Sequence, residues 1–360
     1  MNKKIVFTLI TILFAILLFA GCMEEPEGVN AAKHGVLPSN SGKQNSENLQ
    51  KLIDELSVSG GTIYIPAGEY IFAENGRQTI GSHCIKMRSN VSIVGDGQKT
   101  VLKPVGQSQY GMDMFYFNDY LDTKEPVYLE NCRFANFVID ATETSCSVYT
   151  SAGKGFMFNL FRNCHWEGVT ILNTVATGFG VDCPIDSSIT GCIAIGCGKG
   201  ATIENGGASG FGIGFGYCDD EYLTITDCYA EGNKKFGFFF EHQGRFNEEM
   251  YDTIAVDGFL VSGCTAKDNL YNFGGIVAFG GIYINCESIS PICAGFYFED
   301  CSVFYVMDCI LCQSKVYDVY TVGSVYDLHL TGNQSDTNLL SFDETPANWV
   351  NSGNSWNSEE

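Results

Sequence analysis

Three acidic stretches of this sequence carry side chains fit for proton transfer: Asp182 in Val181-Asp182-Cys183-Pro184, Asp219-Asp220-Glu221 after Tyr217-Cys218, and Glu241-His242-Gln243-Gly244-Arg245 after Phe240. Carboxylates in pairs can serve as acid and base, or acid and nucleophile, on a glycosidic bond, and His or Arg can take a proton from carbon. We take Glu241, His242, Arg245, Asp182 and Asp220 as the candidate catalytic residues. The oxygens of Asp219, Asp220 and Glu221 also suit a hard cation, so calcium bridging them to a substrate carboxylate is the one cofactor expected. Lys234 and Lys235 offer positive charge to a uronate, and solvated lysines at a turn are the plainer account of the pair. In the run from Tyr110 to Tyr120, Phe115 and Phe117 alternate as core residues do, which leaves Tyr110 and Tyr120 as candidate sugar-stacking rings.

These residues need a scaffold that brings distant stretches together. Each acidic stretch follows a strand opened by glycine: Gly178-Phe-Gly-Val, Gly210-Phe-Gly-Ile and Gly237-Phe-Phe-Phe, with Gly274-Gly-Ile-Val and Gly295-Phe-Tyr-Phe further on. A second element recurs with them. Cys132, Cys164, Cys192, Cys228, Cys264, Cys286, Cys301 and Cys309 each follow Asn, Asp or Gly and lead an alternating run. A repeat of roughly one supersecondary unit indicates a solenoid, and period-two alternation places each Cys inward on a strand as a small hydrophobe. The expected fold is all-β: a right-handed, single-stranded parallel β-helix with like residues stacked about 4.8 Å apart. An antiparallel sandwich would need many tight hairpins, and Asn-Gly steps occur only at Asn75-Gly76 and Asn205-Gly206. On the β-helix the three acidic stretches are loops on one side of the rod, lining a shallow groove. The alternative is that they are solvated polar loops on an acidic surface.

Upstream, Asn48-Leu-Gln-Lys-Leu-Ile-Asp-Glu-Leu, Gly60-Gly-Thr-Ile-Tyr-Ile-Pro-Ala-Gly-Glu-Tyr and Val94-Gly-Asp-Gly-Gln-Lys-Thr-Val-Leu resemble the entry segment of pectate-lyase-like β-helix proteins. The resemblance implies an N-terminal α-helix capping the solenoid. Leu49, Leu52, Ile53 and Leu56 supply the single apolar face such a cap needs. It speaks for fold more than activity, because this superfamily includes lyases, hydrolases, epimerases, tailspikes and adhesins. Of the polygalacturonase-type motifs only Cys218-Asp219-Asp220 resembles one, and Asp182-Cys-Pro is a distant echo of the epimerases' Asp-Pro-His without its histidine.

Lys3 and Lys4 before an uncharged run from Ile5 to Ala20, ending in Gly21-Cys22, have the layout of an export signal. Leu18-Phe-Ala-Gly-Cys22 resembles a lipobox, which implies that Cys22 is the lipid anchor and that the chain sits on the extracellular side of a membrane. The expected organisation is a signal peptide over 1–21, a tether over 22–45, the β-helix over 46–345 and a polar tail over 346–360.

Forty-two acidic residues against 20 basic give a formal charge of −22, which excludes a nucleic-acid partner and would repel an anionic polymer unless cations bridge it. Other motifs yield to plainer accounts. The glycines of 206–216 lack the strand, helix and downstream acid of a dinucleotide site, and Cys309-Ile-Leu-Cys312 lacks a second ligand pair for zinc. His83 and His165 are satisfied coil residues, and His34 and His329 have no neighbours suited to ligation. Two functions remain: a surface-anchored enzyme acting on a polysaccharide, by hydrolysis or by lyase or epimerase chemistry on uronates, and a non-catalytic adhesin or structural carbohydrate-binding protein.

Overall fold

A computed structural model describes residues 28–78, 80–119, 126–218, 220–243 and 258–356. Its strands stack in parallel, coil upon coil, into a right-handed β-helix. One long sheet and a second sheet of 11 short strands form its walls. The single antiparallel pairing among the named strands joins Gly76–Gln78 to Gly81–Lys86.

Both repeats have a physical cause. The residue before each ladder cysteine turns the chain in the left-handed region: Asn131 at φ 57°, Asn163 at 49°, Asp227 at 54°, Asn285 at 53°, and Gly191 and Gly263 at 59° and 62°. Only glycine and the short polar side chains of Asn and Asp adopt this conformation at little cost. The next residue then points inward, and Cys132, Cys164, Cys192, Cys228, Cys264, Cys286, Cys301 and Cys309 are all buried with free thiols. Rungs couple through them: the Cys192 amide donates to Cys228 Sγ at 3.3 Å, and the Cys228 amide to Cys264 Sγ at 3.4 Å.

The glycine-led strands stack a column of rings. Phe115, Phe156, Phe179, Phe211, Phe238, Phe273 and Phe296 lie in register, with successive centroids 4.6–5.6 Å apart. In the coil after Phe238 Asn272, not Gly274, holds the place of the opening glycine, because Phe273 is the ring in register with Phe238.

The cap forms as expected over Gly42–Leu56, with Ser41 and Gln44 in a reciprocal capping box and Leu49, Leu52 and Ile53 buried against the first coil. Two boundaries differ from the sequence reading. The stretch expected as tether is built in from residue 28: Val29–Asn30 pairs with Gly61–Tyr64, Ala31–His34 forms a turn of 3₁₀ helix, and Ala31 and Val36 are buried. The expected tail is likewise partly strand, since Val350–Ser352 and Ser355–Trp356 pair with the preceding coil. Exposed ladder edges at either end of a solenoid favour such additions. No helix among the described residues is long and apolar enough to cross a membrane.

Candidate functional site

The acidic stretches are not all loops. Asp182 lies within the strand Phe179–Ile185, and Glu241 and His242 end the strand Phe236–His242. Along these strands Phe179, Val181, Phe238 and Phe240 face the core, so Gly180, Asp182, Phe239 and Glu241 face outward. Register then fixes which of them meet. Asn159, Asp182, Gly214 and Glu241 form one outward column, one residue per coil. Asp182 and Glu241 are thus two rungs apart, roughly 9.5 Å along the axis. The Asp182 carboxylate reaches forward and accepts the Gly214 amide at 3.0 Å, while Glu241 Oε1 accepts from Gln243 Nε2 at 3.2 Å.

Glycines make the floor between the two acids. Gly180, Gly212 and Gly214 leave the outer surface bare of Cβ atoms, and the space is taken by polar side chains from neighbouring positions. A Cβ on Gly180 would lie 2.4–2.9 Å from the end of Lys154, and one on Gly214 would lie 2.3 Å from Gln243 Nε2. Lys154, which the sequence reading passed over, therefore extends across Gly180, one outward position from Asp182. One rung before Asp182, Asn159 is 1% exposed and its Oδ1 has no partner, a buried acceptor aimed at this face. His242 falls on the other side of its strand from Glu241, in phase with Phe238 and Phe240. Its ring lies over Gly216 and packs edge-on against Phe279 at 5.3 Å, and burial lowers its pKa below the usual histidine value.

Other predicted residues fall elsewhere. Glu221 is 2% exposed and its carboxylate turns inward to the amides of Gly216, Tyr217 and Cys218, so it fastens its own loop and is not placed to ligate calcium. Burial raises its pKa to about 7, against the pull of those three amides. Asp220 is exposed on the same turn, and among the described residues no three His, Cys, Asp or Glu side chains are grouped to hold a metal ion. Lys234 and Lys235 sit in the bend before Phe236, at the opposite end of that strand from Glu241, with their amides bonded to the Cys197 and Ala208 carbonyls. Tyr110 precedes the strand Met112–Phe117, at the end remote from the Asn159–Asp182 column, and lines a separate cleft of about 180 Å³ with Arg77 and Gln78. Cys183 and Cys218, which in sequence follow the glycine-led motifs of adjacent coils and could pair, form no disulfide. His165 is satisfied by Ser188 and Asn163, as expected. Cys22, Asp219, Arg245 and Tyr120 lie outside the described residues.

Residues 29–254 match the family model described as rhamnogalacturonase A/epimerase, pectate lyase-like. Among solved structures, the A-module of the Azotobacter vinelandii mannuronan C-5 epimerase AlgE4 is similar at a TM-score of 0.53 and 16% identity, over 91% of this chain and 98% of that one. An alginate lyase from Paenibacillus sp. FPU-7 is similar at 0.57 and 12%, over 84% and 97%. ORF18 of Geobacillus virus E2 is similar at 0.60 and 16%, over 91% of this chain and 60% of that one. At these identities the likeness is one of fold. No curated protein matches the chain in sequence.

Proposed function

Because this chain belongs to the rhamnogalacturonase A/epimerase, pectate lyase-like family, we propose that it is an enzyme acting on a polysaccharide laid along the outer face of the long sheet. The observation that carries this reading is the Asp182–Gly214–Glu241 column: two carboxylates on the outer side of the sheet, Asp182 largely covered and Glu241 half-buried, on either side of a glycine floor. Their backbones are two rungs apart, roughly 9.5 Å, and the forward reach of Asp182 brings its carboxyl nearer to Glu241 than that. This suits an acid and a base flanking a glycosidic bond with a water between them, the carboxyl groups of inverting enzymes being about 6.5–9.5 Å apart. A second reading is favoured by Lys154. An ammonium one outward position from Asp182 would neutralise a uronate carboxylate, which lyase or epimerase chemistry requires before the adjacent proton is removed.

We place this activity at the extracellular surface, with residues 1–21 as an export signal and Cys22 as the lipid anchor; the layout of the N-terminal sequence supports this. Calcium remains an addition to test, acting through Asp219 or Asp220 and not through Glu221.

The purified protein, assayed with neutral and uronate polysaccharides with and without calcium, separates the readings. Reducing ends without ultraviolet absorbance indicate hydrolysis, and absorbance from unsaturated uronates indicates elimination. Altered uronate stereochemistry without cleavage indicates epimerisation. Binding with no product on any substrate overturns the enzyme and leaves a carbohydrate-binding surface protein.

A further inference from the structure

Beyond Glu241 the outward face changes character. The column Phe239–Gly274–Tyr297–Tyr320 runs beside the column Glu241–Ile276–Glu299–Val322, and Phe236, Tyr271 and Tyr317 border them at the bend. These rings form an apolar cluster of their own, outside the phenylalanine column of the core. Phe236 lies 4.7 Å from Phe239 and 4.9 Å from Tyr271; Tyr271 stacks on Tyr297 at 4.2 Å, and Tyr317 on Tyr320 at 4.6 Å. Tyr271, Tyr317 and Tyr320 remain partly exposed. Acids lie alongside: Tyr297 Oη donates to Glu299 Oε2 at 2.7 Å, which holds that carboxylate against the rings.

We propose that this tyrosine-lined face is a set of binding subsites for uncharged sugar units, on the C-terminal side of the carboxylates. It rests on the reading that the Asp182–Glu241 face meets a polysaccharide, and it adds which sugars lie on one side of them. A pyranose ring has a face of C–H groups and a rim of hydroxyls. Ring faces, negative at their centres, take the C–H face, and carboxylates accept from the rim hydroxyls. No position of these columns from Phe236 to Val322 carries a cation, whereas Glu241 and Glu299 are acidic. Along these two columns a uronate carboxylate would meet like charge. Lys234 and Lys235, the cations next to Phe236, lie in the bend before it, at the opposite end of that strand from Glu241, and Lys154 stands on the other side of Gly214. The face spans three rungs from Phe239 to Tyr320, about 14 Å, enough for a short stretch of glycan.

The experiment measures dissociation constants of the full chain for a neutral galactan, mannan and β-glucan and for polygalacturonate and alginate, by affinity electrophoresis. The variant Tyr317→Leu/Tyr320→Leu keeps apolar bulk and removes the ring faces, and Tyr320→Trp restores a ring; melting temperatures report folding. The expected result is wild-type binding to at least one neutral glycan, weakened at least about tenfold in the double variant and retained in Tyr320→Trp. Unchanged affinity in the double variant, or binding to polyuronates alone, overturns the inference while leaving the enzymatic reading in place. Neutral glycan bound through the tyrosines but never transformed supports the inference and overturns the enzyme. No binding to any of the five polymers overturns both.

Discussion

The Asp182 carboxylate accepts the backbone hydrogen of Gly214, one coil ahead, at 3.0 Å. The bond draws one acid along the axis toward the other, Glu241, in the following coil. With no Cβ on Gly214, the end of the Gln243 side chain, bonded to Glu241, occupies the space over it.

Asp182→Asn and Glu241→Gln are therefore expected to lower turnover at least about a hundredfold each while melting temperature holds, as for loss of a general acid or base. Gly214→Ala should also lower it, since its new methyl displaces the Gln243 side chain that bonds Glu241. Product formation under saturating substrate checks all three. Wild-type rates in both carboxyl variants would move the site elsewhere on the rod.

Lys154→Ala is expected to raise KM for a uronate polymer with little change for a neutral one, if its ammonium grips a carboxylate. Gly180→Ala should reproduce the effect, because its methyl occupies the path of the lysine chain. Equal effects on both substrates would make Lys154 a packing residue.

Glu221 gives a dependence of stability on pH with a definite sign. Its folded pKa, raised to about 7, lies above its unfolded value near 4.5, so the native state binds the proton more tightly. This stabilisation is complete below pH about 4.5 and is lost as pH rises through about 7, and its full size is about 3 kcal/mol. Melting temperatures across that window should fall less with pH in Glu221→Gln than in the wild type.

The thiol column should react with alkylating reagents only after unfolding. Burial pushes Cys301 up to about 12, which withholds the reactive thiolate. Cys228→Ser places a hydroxyl in the core and is expected to cost about 1–3 kcal/mol, read from denaturant midpoints. Mass spectrometry that finds most of these cysteines already paired would refute the column.

Most of the fold was legible because its signals are local and repeat. Asn, Asp or Gly before Cys marks a left-handed corner, and Gly-Phe marks the bend and the ring that follows. The Asp182–Glu241 relation was half legible: both follow the same strand, yet sequence alone made them loop residues. The rest depends on contacts between coils or on a turn's own amides. Lys154 matters only because Gly180, a coil later, has no side chain. Glu221 looked like a metal ligand until its oxygens met three amides within five residues of it. Tyr297 carries no mark in Gly295-Phe-Tyr-Phe that sets it apart, whereas its register with Tyr320, and through Gly274 with Phe239, puts it on the outside.

The left-handed corners make the distance between the two acids a matter of whole coils. Gly191 before Cys192 and Asp227 before Cys228 have nearly the same backbone conformation, with φ 59° and 54°. Excising residues 192–227 would join Gly191 to Cys228, re-forming a corner of the same kind and removing one rung. The Phe179 strand would then lie directly against the Phe236–His242 strand, with Asp182 beside Glu241 and no glycine between. Their offset would drop from two rungs to one, about 4.8 Å, near the spacing of glycosidases that retain anomeric configuration. In this architecture an in-frame deletion can reset the spacing of Asp182 and Glu241 by one coil while leaving both residues in place.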